Sequence, residues 1–390
     1  MTICEVQFGF FDKAIDSATK AIALSKNSEN MEYAARAGVG LQFSYLYKGA
    51  FDKVFALKQD ILRIMDKKFN LLTYVRSIGP TTSASSYCGR WEEAIKEGRN
   101  ALSLAQEYSD NSQISFAAMG LAFASCLKGD LRQAIEYGEI SVKSAPNPAY
   151  EAWAQGTLAY AWCRSGEFTK GSGILDFYIQ IFRAGRFVFC ETGYATCLAE
   201  GYFLTCEYDK AEQTAKEALE VAERCGAKFF IGYNLLLLSE VALETNLSQV
   251  LPHLEKCIAI FKQIKAENML AKAYAAFGRL YKKQGDFAQA REYLTKALAR
   301  NPVLVPALTQ MAQIRYRQGL YDEARDFSGK ALAVNTYDPE ANYFWGLASE
   351  KTGNIQDALA VCTDFELQRN ELRYEIDGAV IKVNSFDLQL

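Results

Sequence analysis

The amino-acid sequence predicts an all-α solenoid of about ten helix-turn-helix repeats, followed by a short, non-helical, β-like tail. A short phrase recurs along the chain: glycine, any residue, an aromatic or aliphatic residue, two mostly polar residues and alanine. Successive copies begin 40, 40, 40, 37, 40, 39, 40, 34 and 34 residues apart. Apolar segments with helical spacing flank the copies, as in 269–284 and 288–300. Such a ladder of helix pairs is typical of solenoids, in which stacking buries faces that no single pair can cover.

Each copy of the phrase is expected to form the turn within a helix pair. Glycine can adopt the positive φ that ends the first helix without steric cost. The aromatic residue is expected to pack across the pair, and the alanine to lie where the two backbones come close. One copy has cysteine in place of glycine, and the copy at Thr245 keeps only the apolar rhythm. The predicted turn residues are Gly9, Gly49, Gly89, Gly129, Gly166, Cys206, Gly285, Gly319 and Gly353.

The spacing divides the chain into three segments. Residues 1–284 have a period of about 40 residues, with a truncated first repeat because only eight residues precede Gly9; this early start favours a chain cut from a longer protein. Residues 285–368 have a period of 34 residues, and residues 369–390 are not expected to form a domain. The longer period predicts longer helices or loops in the early repeats. Pro80 lies within a predicted helix, where it indicates a kink or the start of a helix.

One unit carries the signature of a known repeat. In 271–304, seven residues fall on the signature positions: Phe277, Gly278, Tyr281, Gly285, Ala290, Ala297 and Pro302. With the 34-residue spacing, they make residues 9–362 resemble the tetratricopeptide repeat (TPR). The resemblance implies a right-handed superhelix whose first helices line a concave groove for a protein or peptide.

The repeats of the longer period resemble a more specific relative. Phrases such as "ATCLAEGYFLTCEYDKAEQTAKEALEVAERCG" make residues 9–298 similar to the TPR region of bacterial multidomain adenylate/guanylate cyclases and related signalling ATPases. The resemblance implies a detached regulatory or sensory region. The catalytic parts of such proteins are not found, because the sequence contains no G-x-x-x-x-G-K-[ST] phosphate loop.

The tail has a different likeness. Residues 369–389, "RNELRYEIDGAVIKVNSFDLQ", resemble a strand in the adenylation domain of NAD-dependent DNA ligases. Glu375, Asp377, Gly378 and Lys382 match motif positions, and the resemblance implies a nucleotide contact for Lys382. However, the chain has no K-x-D-G nucleophile motif, and one strand cannot build a pocket. The tail is therefore expected to be an inactive fusion remnant, with a recruited capping segment as the alternative.

Composition excludes several classes of function. The net charge is −3, from 43 basic and 46 acidic residues, so no nucleic-acid or anionic-membrane surface is indicated. His253 is the only histidine, and none of the ten cysteines forms a CxxC motif. Neither a signal peptide nor a membrane span is evident. We therefore expect a cytoplasmic, non-enzymatic protein with reduced cysteines and with no cofactor or metal.

Binding is the function that remains. The leading hypothesis is a scaffold that takes a protein or peptide, for which an acidic sequence would suit, in the groove; oligomeric state is left open. The alternatives are the detached regulatory region and, remotely, a ligase-derived remnant. Arg279 and Lys282 belong to one repeat and Tyr316 and Arg317 to the next, so they predict a basic, aromatic stretch. The candidate groove residues are Phe123, Tyr160, Arg164, Glu200, Phe203, Arg279, Lys282, Gln313, Tyr316 and Arg317.

Overall fold

A computed structural model describes residues 2–27, 31–65, 69–336 and 338–353. Over these residues the chain forms nineteen α-helices and one 3-10 helix, joined by short turns. The predicted all-α repeat architecture is confirmed. The ligase-like segment, with Glu375, Asp377, Gly378 and Lys382, lies outside the described residues.

The helices belong to two compact units, Met1–Leu270 and Ala271–Leu390, hereafter unit 1 and unit 2. Helix α15 (Glu267–Lys283) contains the boundary between them. The helices of unit 1 are α1 (Thr2–Gln7), α2 (Phe11–Asn27), α3 (Met31–Tyr47), α4 (Phe51–Met65), α5 (Leu71–Tyr87), α6 (Trp91–Glu107), α7 (Asn111–Lys128), α8 (Leu131–Lys143), α9 (Pro148–Arg164), α10 (Phe168–Ala184), α11 (Val188–Leu204), α12 (Tyr208–Cys225), α13 (Lys228–Thr245) and α14 (Val250–Ile264), with the 3-10 helix Leu247–Gln249 before α14.

Unit 1 has an inner and an outer row of helices. The odd-numbered helices from α3 to α13 contact one another in sequence, and each packs against the even-numbered helix that follows it. The sequence explains the two rows. Helix α12 buries alanines at 211, 215, 218 and 222, which form a single stripe at helical spacing. Helix α13 buries every residue from Leu235 to Ser239, so it is covered on all sides.

The inner row curves until early repeats meet late ones. Helix α3 contacts α13, and α1 contacts α11. The Tyr47 ring lies 4.1 Å from the Phe189 ring, and its hydroxyl donates to the Phe189 carbonyl oxygen over 3.1 Å. The Tyr87 ring stacks on Phe229 with a centroid separation of 3.5 Å. Unit 1 therefore closes on itself across its inner face, which the periodicity alone did not predict.

The turns within the helix pairs adopt the left-handed backbone region. The turn glycines all have positive φ, from 71° at Gly49 to 97° at Gly129, and Cys206 has a φ of 60°. The turn of the degenerate repeat differs, because Asn246 is extended and its side chain accepts a hydrogen bond from the Ser248 amide. Pro80 lies inside α5, which continues through it, so the expectation of a helix that begins there is wrong.

Unit 2 contains shorter helix pairs. Its helices after α15 are α16 (Phe287–Arg300), α17 (Val305–Arg317), α18 (Tyr321–Val334) and α19 (Pro339–Lys351). Leu308, Ala331 and Ala341 form a buried cluster between α17, α18 and α19. None of the described helices in either unit is both long and apolar enough to cross a membrane.

Candidate functional site

The closure of unit 1 leaves a partly open cavity of about 570 Å³ between the inner helices. It is lined by side chains from α1, α3, α5, α7, α9, α11 and α13, and we call it the unit 1 cavity. Its wall is largely aromatic, since ten rings contribute: Phe43, Tyr47, Tyr87, Phe116, Phe123, Tyr150, Trp153, Phe189, Tyr194 and Phe230.

The charged side chains that line the cavity are both arginines. Arg36 and Arg76 contribute to its wall, and no described aspartate or glutamate does. Arg36 forms an ion pair with Glu32 over 2.8 Å. The guanidinium carbon of Arg76 instead lies 4.0 Å from the centre of the Phe116 ring, and a guanidinium nitrogen donates to the Tyr150 hydroxyl. The described part of the chain places no carboxylate at ion-pair distance from Arg76.

Asp110 is the acidic residue whose field reaches Arg76, but its side chain caps a helix. Its Oδ1 accepts hydrogen bonds from the Ser112 amide at 3.0 Å, the Ser112 hydroxyl at 2.6 Å and the Gln113 amide at 3.2 Å. Although burial opposes ionisation, these bonds and the Arg76 charge lower the pKa of Asp110. Burial lowers the pKa of Arg76, and Tyr150 and Asp110 partly offset that effect. The cavity thus contains a poorly solvated cation whose nearest acid has another role.

Three of the predicted groove residues form a buried network in unit 1. The Tyr160 hydroxyl donates to Glu200 Oε2 over 2.6 Å, and the Tyr233 hydroxyl donates to the same oxygen over 2.8 Å. Arg164 Nη1 lies 4.0 Å from Glu200 Oε1 and donates to the Cys126 carbonyl oxygen over 2.9 Å. Burial alone would lower the pKa of Arg164, but Glu200 raises it well above its usual value.

The burial of this network limits what it can contact. Tyr160 is 1% exposed and Glu200 8%, so a partner could touch either only after the inner wall opens. Two other predicted residues are more accessible. Phe123 lines the unit 1 cavity, and Phe203 is half-buried with its ring 6.1 Å from Tyr208.

In unit 2 the structure brings predicted residues of adjacent repeats together. Lys282 Nζ donates to Gln313 Oε1 over 2.5 Å. Burial lowers the pKa of Lys282, and the positive charges of Arg279 and Arg317 lower it further, while Glu340 opposes them. We call Arg279, Lys282, Gln313 and Arg317 the basic cluster.

An aromatic residue accompanies the basic cluster. Tyr316, which precedes Arg317, lies with its ring 5.3 Å from Tyr321 and 6.1 Å from Phe344. The Arg317 guanidinium lies 5.7 Å from the centre of the Phe287 ring. The geometry is that of a basic patch with aromatic neighbours.

Several groups with catalytic potential are buried and have shifted pKa values. Burial raises the pKa of Cys126, Cys163 and Cys190 to about 12 each, so these thiols stay protonated at neutral pH. Burial, with the charges of Lys256 and Lys216, lowers the pKa of His253. Within the described ranges, no group of three or more His, Cys, Asp or Glu side chains could hold a metal ion.

Comparisons with known proteins agree with the fold. Residues 281–342 match the family model described as tetratricopeptide repeat. No curated protein matches the chain. The cyclase and ligase resemblances therefore stay predictions.

Solved structures that are similar to this chain include the following three. A chain of the APC/C hetero-tetramer Cut9–Hcn1 matches with a TM-score of 0.58 and 15% identity over 86% of this chain, which spans 58% of that chain's length. A Rap protein complexed with Competence and Sporulation Factor matches with a TM-score of 0.56 and 11% identity, covering 83% of this chain and 99% of its own. Aspartyl phosphate phosphatase F from Bacillus subtilis matches with a TM-score of 0.50 and 13% identity, and the match covers 90% of this chain and 97% of that chain. At these identities the likeness concerns the fold alone.

Proposed function

We propose that the protein is a non-enzymatic interaction scaffold that binds an acidic segment of a polypeptide at the basic cluster of unit 2. The observation that carries the proposal is that unit 2 brings the positive charges of Arg279 and Arg317 to Lys282, a half-buried amine that donates to Gln313 Oε1 over 2.5 Å; Glu340 opposes their effect on Lys282. A carboxylate bound there would relieve this repulsion and replace water lost from Lys282. Hydrogen bonds to charged groups contribute about 1.5–3 kcal/mol each, so one or two such contacts would give a selective site.

Two further facts support a polypeptide partner. Helical-repeat folds of this kind present extended surfaces suited to peptides. Two of the similar structures are named as complexes, one with Competence and Sporulation Factor and the other as a hetero-tetramer with Hcn1. We propose the same kind of role here, at the residues that unit 2 brings together.

The test uses fluorescent peptides of defined charge. A set of decapeptides that carry Asp or Glu beside a free C-terminal carboxylate is compared with amidated, neutral versions by fluorescence anisotropy. We expect the acidic peptides to bind more tightly, and Lys282→Glu to weaken them roughly tenfold or more, because a like charge replaces the bonding amine.

A matched variant controls for net charge. Lys296→Glu changes the charge of unit 2 equally, but the Lys296 side chain is 43% exposed on α16 and pairs with Glu292 over 2.5 Å. This variant should bind the peptides as the parent does. Equal weakening by both variants would indicate a diffuse electrostatic effect, and unaltered binding by Lys282→Glu would refute the site.

The regulatory-region hypothesis stays a separate proposal. It rests on the resemblance of residues 9–298, and adjoining coding sequence with a phosphate loop or a cyclase domain would favour it over an independent scaffold.

A further inference from the structure

We propose that the unit 1 cavity binds a small amphipathic monocarboxylate, with an aromatic or alkyl body among the rings and its carboxylate on Arg76. The proposal uses residues of unit 1 alone, so it does not depend on the polypeptide site of unit 2.

The size and wall of the cavity suit such a molecule. Small-molecule pockets usually measure about 300–1,000 Å³ and combine an apolar lining with a few polar groups, and the unit 1 cavity has about 570 Å³. Its rings are held by contacts with one another, such as Phe43 with Phe189 at 5.9 Å and Tyr47 with Phe230 at 5.6 Å. Transfer of the ligand's apolar body from water into the cavity would be favourable.

Charge selects an anion. No described aspartate or glutamate lines the wall beside the two arginines, and Arg36 pairs with Glu32, which is not a lining residue. Arg76 therefore supplies the available positive charge. Its guanidinium lies on the Phe116 ring and bonds Tyr150, which holds it at the wall beside the aromatic surface. A carboxylate offers a planar pair of oxygens that a guanidinium can bind through two parallel hydrogen bonds.

A glycine in the wall preserves the open space. Gly120 lies within α7, where glycine weakens a helix relative to alanine. A Cβ built on Gly120 would meet no atom within 4 Å, and the residue borders the cavity. A larger side chain there would start from open space at the cavity wall, so Gly120 is the position chosen for blocking the cavity.

The experiment measures calorimetric binding of naphthaleneacetate to the full chain. Naphthaleneethanol is the neutral comparison, and naphthyl phosphate tests whether a dianion is preferred. We expect naphthaleneacetate to bind most tightly. Arg76→Met should weaken it roughly tenfold to a hundredfold, with little change for the alcohol, because a charge-assisted hydrogen bond is lost. Gly120→Leu should abolish binding of all three ligands.

Two control variants match these changes outside the cavity. Arg99 donates to the Tyr137 hydroxyl over 2.9 Å on an exposed surface, so Arg99→Met removes a similar arginine–tyrosine contact. Gly173 is an exposed helical glycine with no atom within 4 Å of an ideal Cβ, so Gly173→Leu makes the same glycine-to-leucine change in a helix outside the cavity. Both should bind as the parent does.

Several outcomes would overturn the proposal. These are equal affinity for the acid and the alcohol, tighter binding of the phosphate, no binding by the parent chain, or unaltered binding by Arg76→Met or Gly120→Leu. Acidic-peptide binding measured on the same variants separates the two proposals, because changes at Arg76 and Gly120 should leave binding at the basic cluster of unit 2 intact.

Discussion

Replacing Glu200 with leucine tests the buried network of unit 1. The change removes the acceptor of the Tyr160 and Tyr233 hydroxyls and the counter-charge of Arg164, which burial separates from water. Removing one partner of a buried ion pair typically costs about 3–5 kcal/mol, because the remaining charge is left uncompensated. Glu200 is 8% exposed, so solvent screens this interaction little.

The expected loss can be measured by heating. For folding units of about 150–250 residues, 1 kcal/mol corresponds to roughly 2–4 °C in melting temperature, so Glu200→Leu should lower the Tm by about 6–20 °C. Circular dichroism at the helical band is a suitable assay. The double variant Glu200→Leu/Arg164→Leu should lose less than the sum of the single variants, because both charges leave together.

An exposed pair provides the control. Lys216 and Glu212 pair over 2.5 Å with side chains that are 58% and 42% exposed, and such pairs contribute at most about 1 kcal/mol. Glu212→Leu should therefore shift the Tm only slightly. A Tm for Glu200→Leu within about 2 °C of the parent, or strict additivity in the double variant, would refute the reasoning.

Three further predictions address the turns, the helix pairs and acid stability. Cys206 is exposed and has a φ of 60°, so Cys206→Gly should remove backbone strain and raise stability by about 1 kcal/mol in thermal melts. Gly129 has a φ of 97°, so Gly129→Ala should lower stability. Ala134→Trp and Ala290→Trp should each cost about 1–3 kcal/mol by overpacking, since both alanines are fully buried between paired helices, and unchanged melting curves would count against the pairing. The pKa of His253 in the folded chain lies below its ordinary value of 6.5, so the unfolded chain binds the proton first and stability should fall as the pH drops below 6.5. In denaturant titrations at several pH values, His253→Asn should reduce the dependence of stability on pH. An identical pH dependence would contradict the assignment.

Local features of the sequence predicted much of the architecture. The ladder of turn residues marks the bends within helix pairs, because the need for positive φ is a property of a single residue and its neighbours. The sequence signalled less clearly the bends between pairs, where Ser109, Arg186 and Lys265 adopt positive φ without being glycine. The spacing alone also placed Arg279 and Lys282 in the repeat before that of Tyr316 and Arg317. The contact between Lys282 and Gln313 came from the structure.

The sequence by itself determined the class of fold and the repeat unit, and it predicted which residues would line the groove. Tertiary structure decided which of those residues are open and which are buried. Small rotations between successive helix pairs accumulate along an array, and neither the spacing nor the polarity of one repeat reveals their sum. In unit 1 that sum brings Tyr47 onto Phe189 and Tyr87 onto Phe229, buries Tyr160 and forms a partly open cavity beside Arg76.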